Sequence, residues 1–332
     1  MTLSALLAPV KRLALVGLAK NTGKTQTLAA ILNEHAAAGV RVGVTSIGRD
    51  GEAHDVIDAR IEKPRILLQA GDLVASTAAL IRASGLAHER LAQTGVRTPL
   101  GEVVIARLAE PGTIEVAGPS AAQDVREVSE AMLGLGVERV LIDGAIDRRA
   151  ASSPAVADGL VMATGAVLAA VVEGVAAITR DAVDLVRLPL AGGEGVPVEG
   201  RLVLNAEPQA IAALLREHPH ADTFVVQGAL GERFLEGLLA ARRERAGREL
   251  RIVAADPTRV FLSRRAPSWY ERQGVAIAVR RTIELRAITV NPVAPQSHAL
   301  DSRALRESIE AVVADVPVLD VRDDESYLAL AK

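Results

Sequence analysis

Short, continuously apolar runs alternate along the chain with stretches whose apolar residues recur at helical spacing. Residues 12–16, Arg-Leu-Ala-Leu-Val, form the first run, and the glycine-rich turn behind it opens a helical pattern over 24–38. Further runs at 41–46, 139–142, 160–163 and 202–204 predict strands, separated by helical patterns such as 121–135 and 179–187. The pattern resumes with runs at 223–226, 250–254, 275–279, 286–290 and 318–321. Strands that are apolar throughout and alternate with helices predict an α/β fold, a mostly parallel sheet covered by helices on both faces. The stretch 190–197 reads as a surface loop within the first set of strands. No uncharged segment is longer than the one between Asp158 and Glu173, which is interrupted by Gly159 and Gly165. It is shorter than the ~20 residues a membrane span needs, so it predicts a buried strand followed by a helix.

Composition narrows the picture. A length of 332 residues suggests two domains. The absence of cysteine excludes a disulfide scaffold, a thiolate zinc site, an iron–sulfur cluster and a cysteine nucleophile. With 38 Lys and Arg against 41 Asp and Glu, spread rather than blocked, a nucleic-acid-binding field is not expected. Aromatics are only 2%, so the core must be built from Ala, Val, Leu and Ile. The apolar run near the N-terminus, Leu3 to Val10, has no basic region before it and does not read as a secretory signal. A cytoplasmic protein without a membrane partner is the expectation.

The segment richest in chemistry is Gly17-Leu-Ala-Lys-Asn-Thr-Gly-Lys-Thr25, placed where an apolar strand turns into a helix. In a phosphate loop, backbone N–H groups and the helix N-terminus converge on phosphate oxygens, the lysine reaches the outer phosphates and the hydroxyl holds Mg²⁺. Gly23, Lys24 and Thr25 fill the last three positions of that pattern, and Lys20, Asn21 and Thr22 line the loop before them. The first glycine is displaced: Leu18 occupies its usual place and Gly17 sits one residue earlier. Lys20 is either a second phosphate contact or a solvated loop lysine. The second set of strands has no such loop. The expected division is therefore a P-loop NTPase-type nucleotide-binding domain over 1–207 and a smaller α/β domain over 208–332, with the boundary between Asn205 and Thr223.

Carboxylates for a metal are expected at neighbouring strand ends. Val140-Leu-Ile-Asp143 is an apolar strand ending in Asp, a Walker B candidate or a turn aspartate. In Ser46-Ile-Gly-Arg-Asp-Gly-Glu52, Asp50 is a candidate for positioning metal or water and Arg49 for touching phosphate, with a plain glycine-rich turn as the alternative. Asp147 and Arg148 either complete the site or cap the next segment. Asn205 closes the run Leu202-Val-Leu-Asn, where an amide recognises adenine or simply ends a strand. No Asn-Lys-x-Asp sequence occurs, which favours ATP over GTP. His218 and His220 flank Pro219 and read as a solvated turn. No Gly-x-Ser-x-Gly or His-Glu-x-x-His pattern supports a hydrolase or zinc protease.

These motifs, together with Leu141-Ile-Asp-Gly-Ala-Ile-Asp-Arg148 and Thr289-Val-Asn-Pro-Val-Ala-Pro295, resemble the P-loop subunit of the lysine 5,6-aminomutase reactivase over most of the chain. More distantly, the first domain is similar to dethiobiotin synthetase and related P-loop ATPases. The reactivase resemblance implies an ATP-dependent chaperone that helps replace damaged cobalamin in an adenosylcobalamin-dependent aminomutase. It also implies a second subunit similar to mismatch-repair ATPases. The expectation is thus slow Mg-dependent ATPase activity coupled to a partner. Lys24 would neutralise γ-phosphate charge, Thr25 and Asp143 would hold Mg²⁺, and Asp50 would position water. The rival is a small-molecule ligase or kinase of the dethiobiotin synthetase type; a weaker third reading is a nucleotide sensor that does not hydrolyse.

Overall fold

A computed structural model describes residues 6–47, 66–144, 153–242, 248–295 and 297–322. The chain first forms β1 (Arg12–Gly17), α1 (Lys24–Ala37), β2 (Val42–Ile47), β3 (Ile66–Leu68), β4 (Leu73–Thr77) and α2 (Ala78–Ala83). It continues through β5 (His88–Thr98), β6 (Gly101–Leu108), β7 (Gly112–Ile114), α3 (Ala122–Gly134), β8 (Arg139–Gly144), β9 (Gly159–Gly165) and α4 (Val172–Val186). Next come β10 (Val196–Val198), α5 (Gly200–Asn205), α6 (Pro208–Glu217), β11 (Thr223–Val226), β12 (Leu230–Gly231), α7 (Glu232–Arg242), β13 (Leu250–Ala254), β14 (Val260–Phe261), α8 (Pro267–Arg272) and β15 (Val275–Val279). The last elements are β16 (Glu284–Asn291), α9 (Ser302–Val313) and β17 (Val318–Leu319).

The chain divides into two compact units, one of Met1–Thr179 with Glu284–Lys332 and one of Arg180–Ile283. The first unit is built on a nine-stranded sheet of order β17-β16-β9-β1-β8-β2-β4-β6-β5. From β17 to β4 every pairing is parallel, and β6 and β5 close one edge as an antiparallel hairpin. Its central strands are buried along their length, which is why they read as unbroken apolar runs. Leu13 and Leu15 of β1 and Val42 and Val44 of β2 share a core with Leu28 and Ile31 of α1. Gly43 faces the other way, where an added Cβ would lie 2.7 Å from Met132 Cε of α3. Helices therefore cover both faces, as the apolar pattern predicts.

The second unit has its own parallel sheet, in the order β10-β11-β13-β15. Phe224, Phe234 and Tyr270 are fully buried in its core. All three Phe, the single Trp and one of the two Tyr fall within this unit.

Three expectations change. The boundary between Asn205 and Thr223 is not where the chain divides: Arg180–Ile283 interrupts the first unit, and β16 and β17 return to the large sheet beside β9. An apolar run specifies a buried strand but not which sheet receives it, so the late strands looked like part of a C-terminal domain. Residues 202–204 lie in α5 rather than a strand. Val203 is buried while Leu204 is 68% exposed, the one-sided burial of a helix rather than the two-sided burial of a central strand. Residues 190–197 belong to the inserted unit and run into β10, its edge strand. The hairpin strand β5 left no apolar signal because it is polar and exposed at the sheet edge. Among the described residues, no helix is long and apolar enough to cross a membrane.

Candidate functional site

The carboxyl end of β1 runs into a tight loop that ends at the first residue of α1. Leu18 N–H donates to the Ala163 carbonyl at 2.9 Å, tying the loop to β9. Asn21 and Gly23 both adopt left-handed backbone conformations, φ 64° and 88°. Gly enters that region without steric cost, and Asn is among the few side chains that tolerate it. Between them Thr22 is buried and its hydroxyl donates to the Ala19 carbonyl at 3.0 Å. A Cβ on Gly17 would lie 2.5 Å from Thr22 Oγ1. The displaced glycine thus makes room for the side chain that braces the loop. Gly23 is the N-cap of α1 and has no side chain with which to cap the helix. The first N–H groups of a helix have no intrahelical acceptor, so this corner presents amide donors and the positive end of the helix dipole.

Asp143 stands near the end of β8, paired with Leu15 of β1 and with Ser46 of β2. Lys24 reaches across from α1 and forms an ion pair with its carboxylate. The same ammonium donates to the Gly144 carbonyl at 2.6 Å. An ammonium carries three protons, and among the described residues Asp143 and Gly144 account for two of them. Both side chains are half-buried, and the low local dielectric strengthens their interaction relative to a surface pair. Thr25 is exposed on the first turn of α1, and Lys20 and Asn21 are exposed on the loop. The fold therefore brings Lys24 and Asp143 into contact and sets Lys20, Asn21, Thr22, Gly23 and Thr25 on the same corner.

The other expected site residues are not gathered there. Asp50 and Arg49, and Asp147 and Arg148, lie outside the described residues. Asn205 is the exposed last residue of α5, in the inserted unit rather than the unit that carries Lys24. Asn205 therefore ends a short helix and not a strand.

Two residues of β16 join the corner instead. Thr289 Oγ1 and Thr27 Oγ1 of α1 are hydrogen bonded at 2.7 Å, both buried. Asn291 Nδ2 donates to the Asn21 carbonyl at 2.8 Å. The sequence signal was present in Thr289-Val-Asn291-Pro292, polar residues closing an apolar run, but only the strand order shows that this run ends beside the loop. Comparison of the chain with protein-family models, with curated proteins and with solved structures found no match in any of the three.

Proposed function

We propose that the β1–α1 corner is a phosphate loop of a P-loop NTPase-type domain, and that the protein binds Mg·ATP there and hydrolyses it slowly. The observation that carries this reading is the contact between Lys24 and Asp143 at the end of a glycine-containing strand–loop–helix turn. A lysine at the helix start and a carboxylate on the adjacent strand are the pair that phosphoryl transfer needs, one for phosphate charge and one for the metal side. Lys24 neutralises γ-phosphate charge, and the loop amides and helix terminus take the remaining oxygens.

The donors fit magnesium. Thr25 offers a hydroxyl and Asp143 a carboxylate, both hard oxygens, and Mg²⁺ takes few protein ligands because it keeps waters and substrate phosphates. Held by Thr25 and Asp143, magnesium would supply positive charge to offset the negative charge that develops on the phosphate oxygens. Asp50 completes the reading as the residue that positions the attacking water.

The resemblance to the lysine 5,6-aminomutase reactivase extends the proposal to its partner. Hydrolysis would then drive the exchange of damaged cobalamin in an adenosylcobalamin-dependent aminomutase, together with a mismatch-repair-ATPase-like second subunit, in the cytoplasm. The inserted unit supplies a separately packed body that could carry such coupling.

The test is phosphate release with Mg·ATP, alone and with an aminomutase holoenzyme and its second reactivase subunit added. Slow basal turnover, raised by the protein partner and abolished in Lys24→Ala, supports the proposal. Turnover raised by a small carboxylate or amine and not by the partner supports the dethiobiotin synthetase-like ligase or kinase reading.

A further inference from the structure

Asn291 closes β16 and is nearly buried. Its amide is fixed at both ends: Oδ1 accepts from Val293 N–H at 3.2 Å, and Nδ2 donates to the Asn21 carbonyl at 2.8 Å. An N–H cannot accept and a carbonyl cannot donate, so only this orientation of the amide satisfies both partners. The fit around it is close. A Cβ on Gly165 would lie 2.3 Å from the Asn291 main-chain oxygen and 3.0 Å from Asn291 Cβ, and one on Gly23 3.0 Å from the same Cβ. The side chain is thus seated between the ends of β9 and β16 on one side and the loop on the other.

The bonded carbonyl belongs to a residue in the left-handed region. In a trans peptide the C=O and the following N–H point in opposite directions. A hydrogen bond that fixes the Asn21 carbonyl toward Asn291 therefore aims the Thr22 N–H the other way. Rotation of that one peptide would turn a donor of the corner into an acceptor, which repels phosphate.

We propose that Asn291 is a positioning residue for the phosphate loop: by holding the Asn21 carbonyl it sets the direction of the Asn21–Thr22 peptide and so the loop's affinity for phosphate. This rests on the phosphate-loop reading of the corner and names the residue that orients it from outside the loop. The role is separate from reading the base, because the contact is to the loop backbone.

The experiment compares Asn291→Ala with the full-length wild-type protein by calorimetric titration of Mg·ATP and of tripolyphosphate, which has no base, at a temperature where both proteins are folded. Asn291→Leu, uncharged and close in volume, replaces the Ala variant if that one does not fold. Affinity for ATP and for tripolyphosphate is expected to fall by the same factor, about tenfold, as for the loss of one orienting hydrogen bond. Turnover at saturating ATP should stay within about twofold, so that KM rises and kcat holds. A loss confined to ATP, with tripolyphosphate unaffected, overturns the proposal by making Asn291 a base contact. Unchanged affinity for both ligands overturns it as well and leaves the phosphate-loop reading standing. Wild-type protein that binds neither ligand overturns both.

Discussion

Lys24 and Asp143 form an ion pair across the carboxyl end of the large sheet, joining the first residue of α1 to the end of β8. The pair holds opposite charges at one point, so a ligand that brings both phosphate and a divalent cation can engage each partner without leaving the other unpaired. A bare anion would compete with Asp143 for the lysine, and a bare cation would compete with the lysine for Asp143. Mg·ATP meets both demands at once.

Asp143→Asn separates the two roles. The amide keeps an oxygen for the Lys24 ammonium but removes the negative charge that restrains it, so nucleotide affinity should stay within about tenfold of wild type. Turnover should fall about a hundredfold or more, since charge offset near the metal matters more in the transition state than in the bound state. Binding by calorimetry and phosphate release measured on the same preparation check this. Equal loss of both, with a lower melting temperature of the free protein, would make Asp143 a structural residue.

Gly17 and Thr22 should behave as a coupled pair. Gly17→Ala places a Cβ within 2.5 Å of Thr22 Oγ1, an overpacking expected to cost about 1–3 kcal/mol. Thr22→Ala alone loses the hydrogen bond to Ala19, worth about 1 kcal/mol. In the double variant the clash is gone, so its destabilisation should be smaller than the sum of the singles, read from denaturant midpoints in a double-mutant cycle. Simple additivity would show that the displaced glycine serves another purpose.

His35 gives the first unit a pH dependence. Its Nδ1 donates to the Ile31 carbonyl at 2.7 Å and its Nε2 faces the buried Arg139 guanidinium. Burial, with Arg139 adding to it, pushes the imidazole below its ordinary value near 6.5, so the folded protein holds it neutral. The unfolded chain then binds a proton that the folded chain does not, and stability that is full above about pH 6.5 is lost as pH falls from there toward the lowered folded value. Glutamine does not titrate. His35→Gln should therefore flatten the slope of melting temperature against pH between 7 and 5 relative to wild type, and an unchanged slope would refute the assignment.

The inserted topology predicts how fragments behave. A chain cut after Asn205 lacks β16 and β17, leaving the edge of β9 unpaired and removing Thr289 and Asn291 from the loop. It should show no cooperative melting. The unit Arg180–Ile283, with its own core around Phe224, Phe234 and Tyr270, should unfold cooperatively by itself, followed through Trp269 fluorescence. The reverse pattern would restore the simpler two-domain division.

Much of this was legible in the sequence where local physics decides. The strand at 12–16, the helix at 24–38 and the Asp at the end of 139–142 follow from apolar runs and a glycine-rich turn, and all three recur in the structure as β1, α1 and β8. What escaped depends on distant pairing. Nothing local says that Thr289 and Asn291 pair with Ala163 and Gly165, which is what carries them to the loop. The misplacement of Asn205 has a different, local cause: three apolar residues fit a short helix as well as a strand. The polar hairpin strand β5 was invisible because an exposed edge strand needs no apolar pattern.

On the proposed reading, this corner binds nucleotide phosphates through Lys24. Calorimetric titration of Mg·ATP into wild type and into Lys24→Ala, paired with melting temperatures, tests it most directly. Wild type should bind at a single site and gain about 2.7 kcal/mol of stability at a hundredfold excess over the dissociation constant, and Lys24→Ala should lose most of the heat and most of the shift. Wild-type protein that gives neither heat nor a shift with ATP, GTP or ADP at millimolar concentration would contradict it.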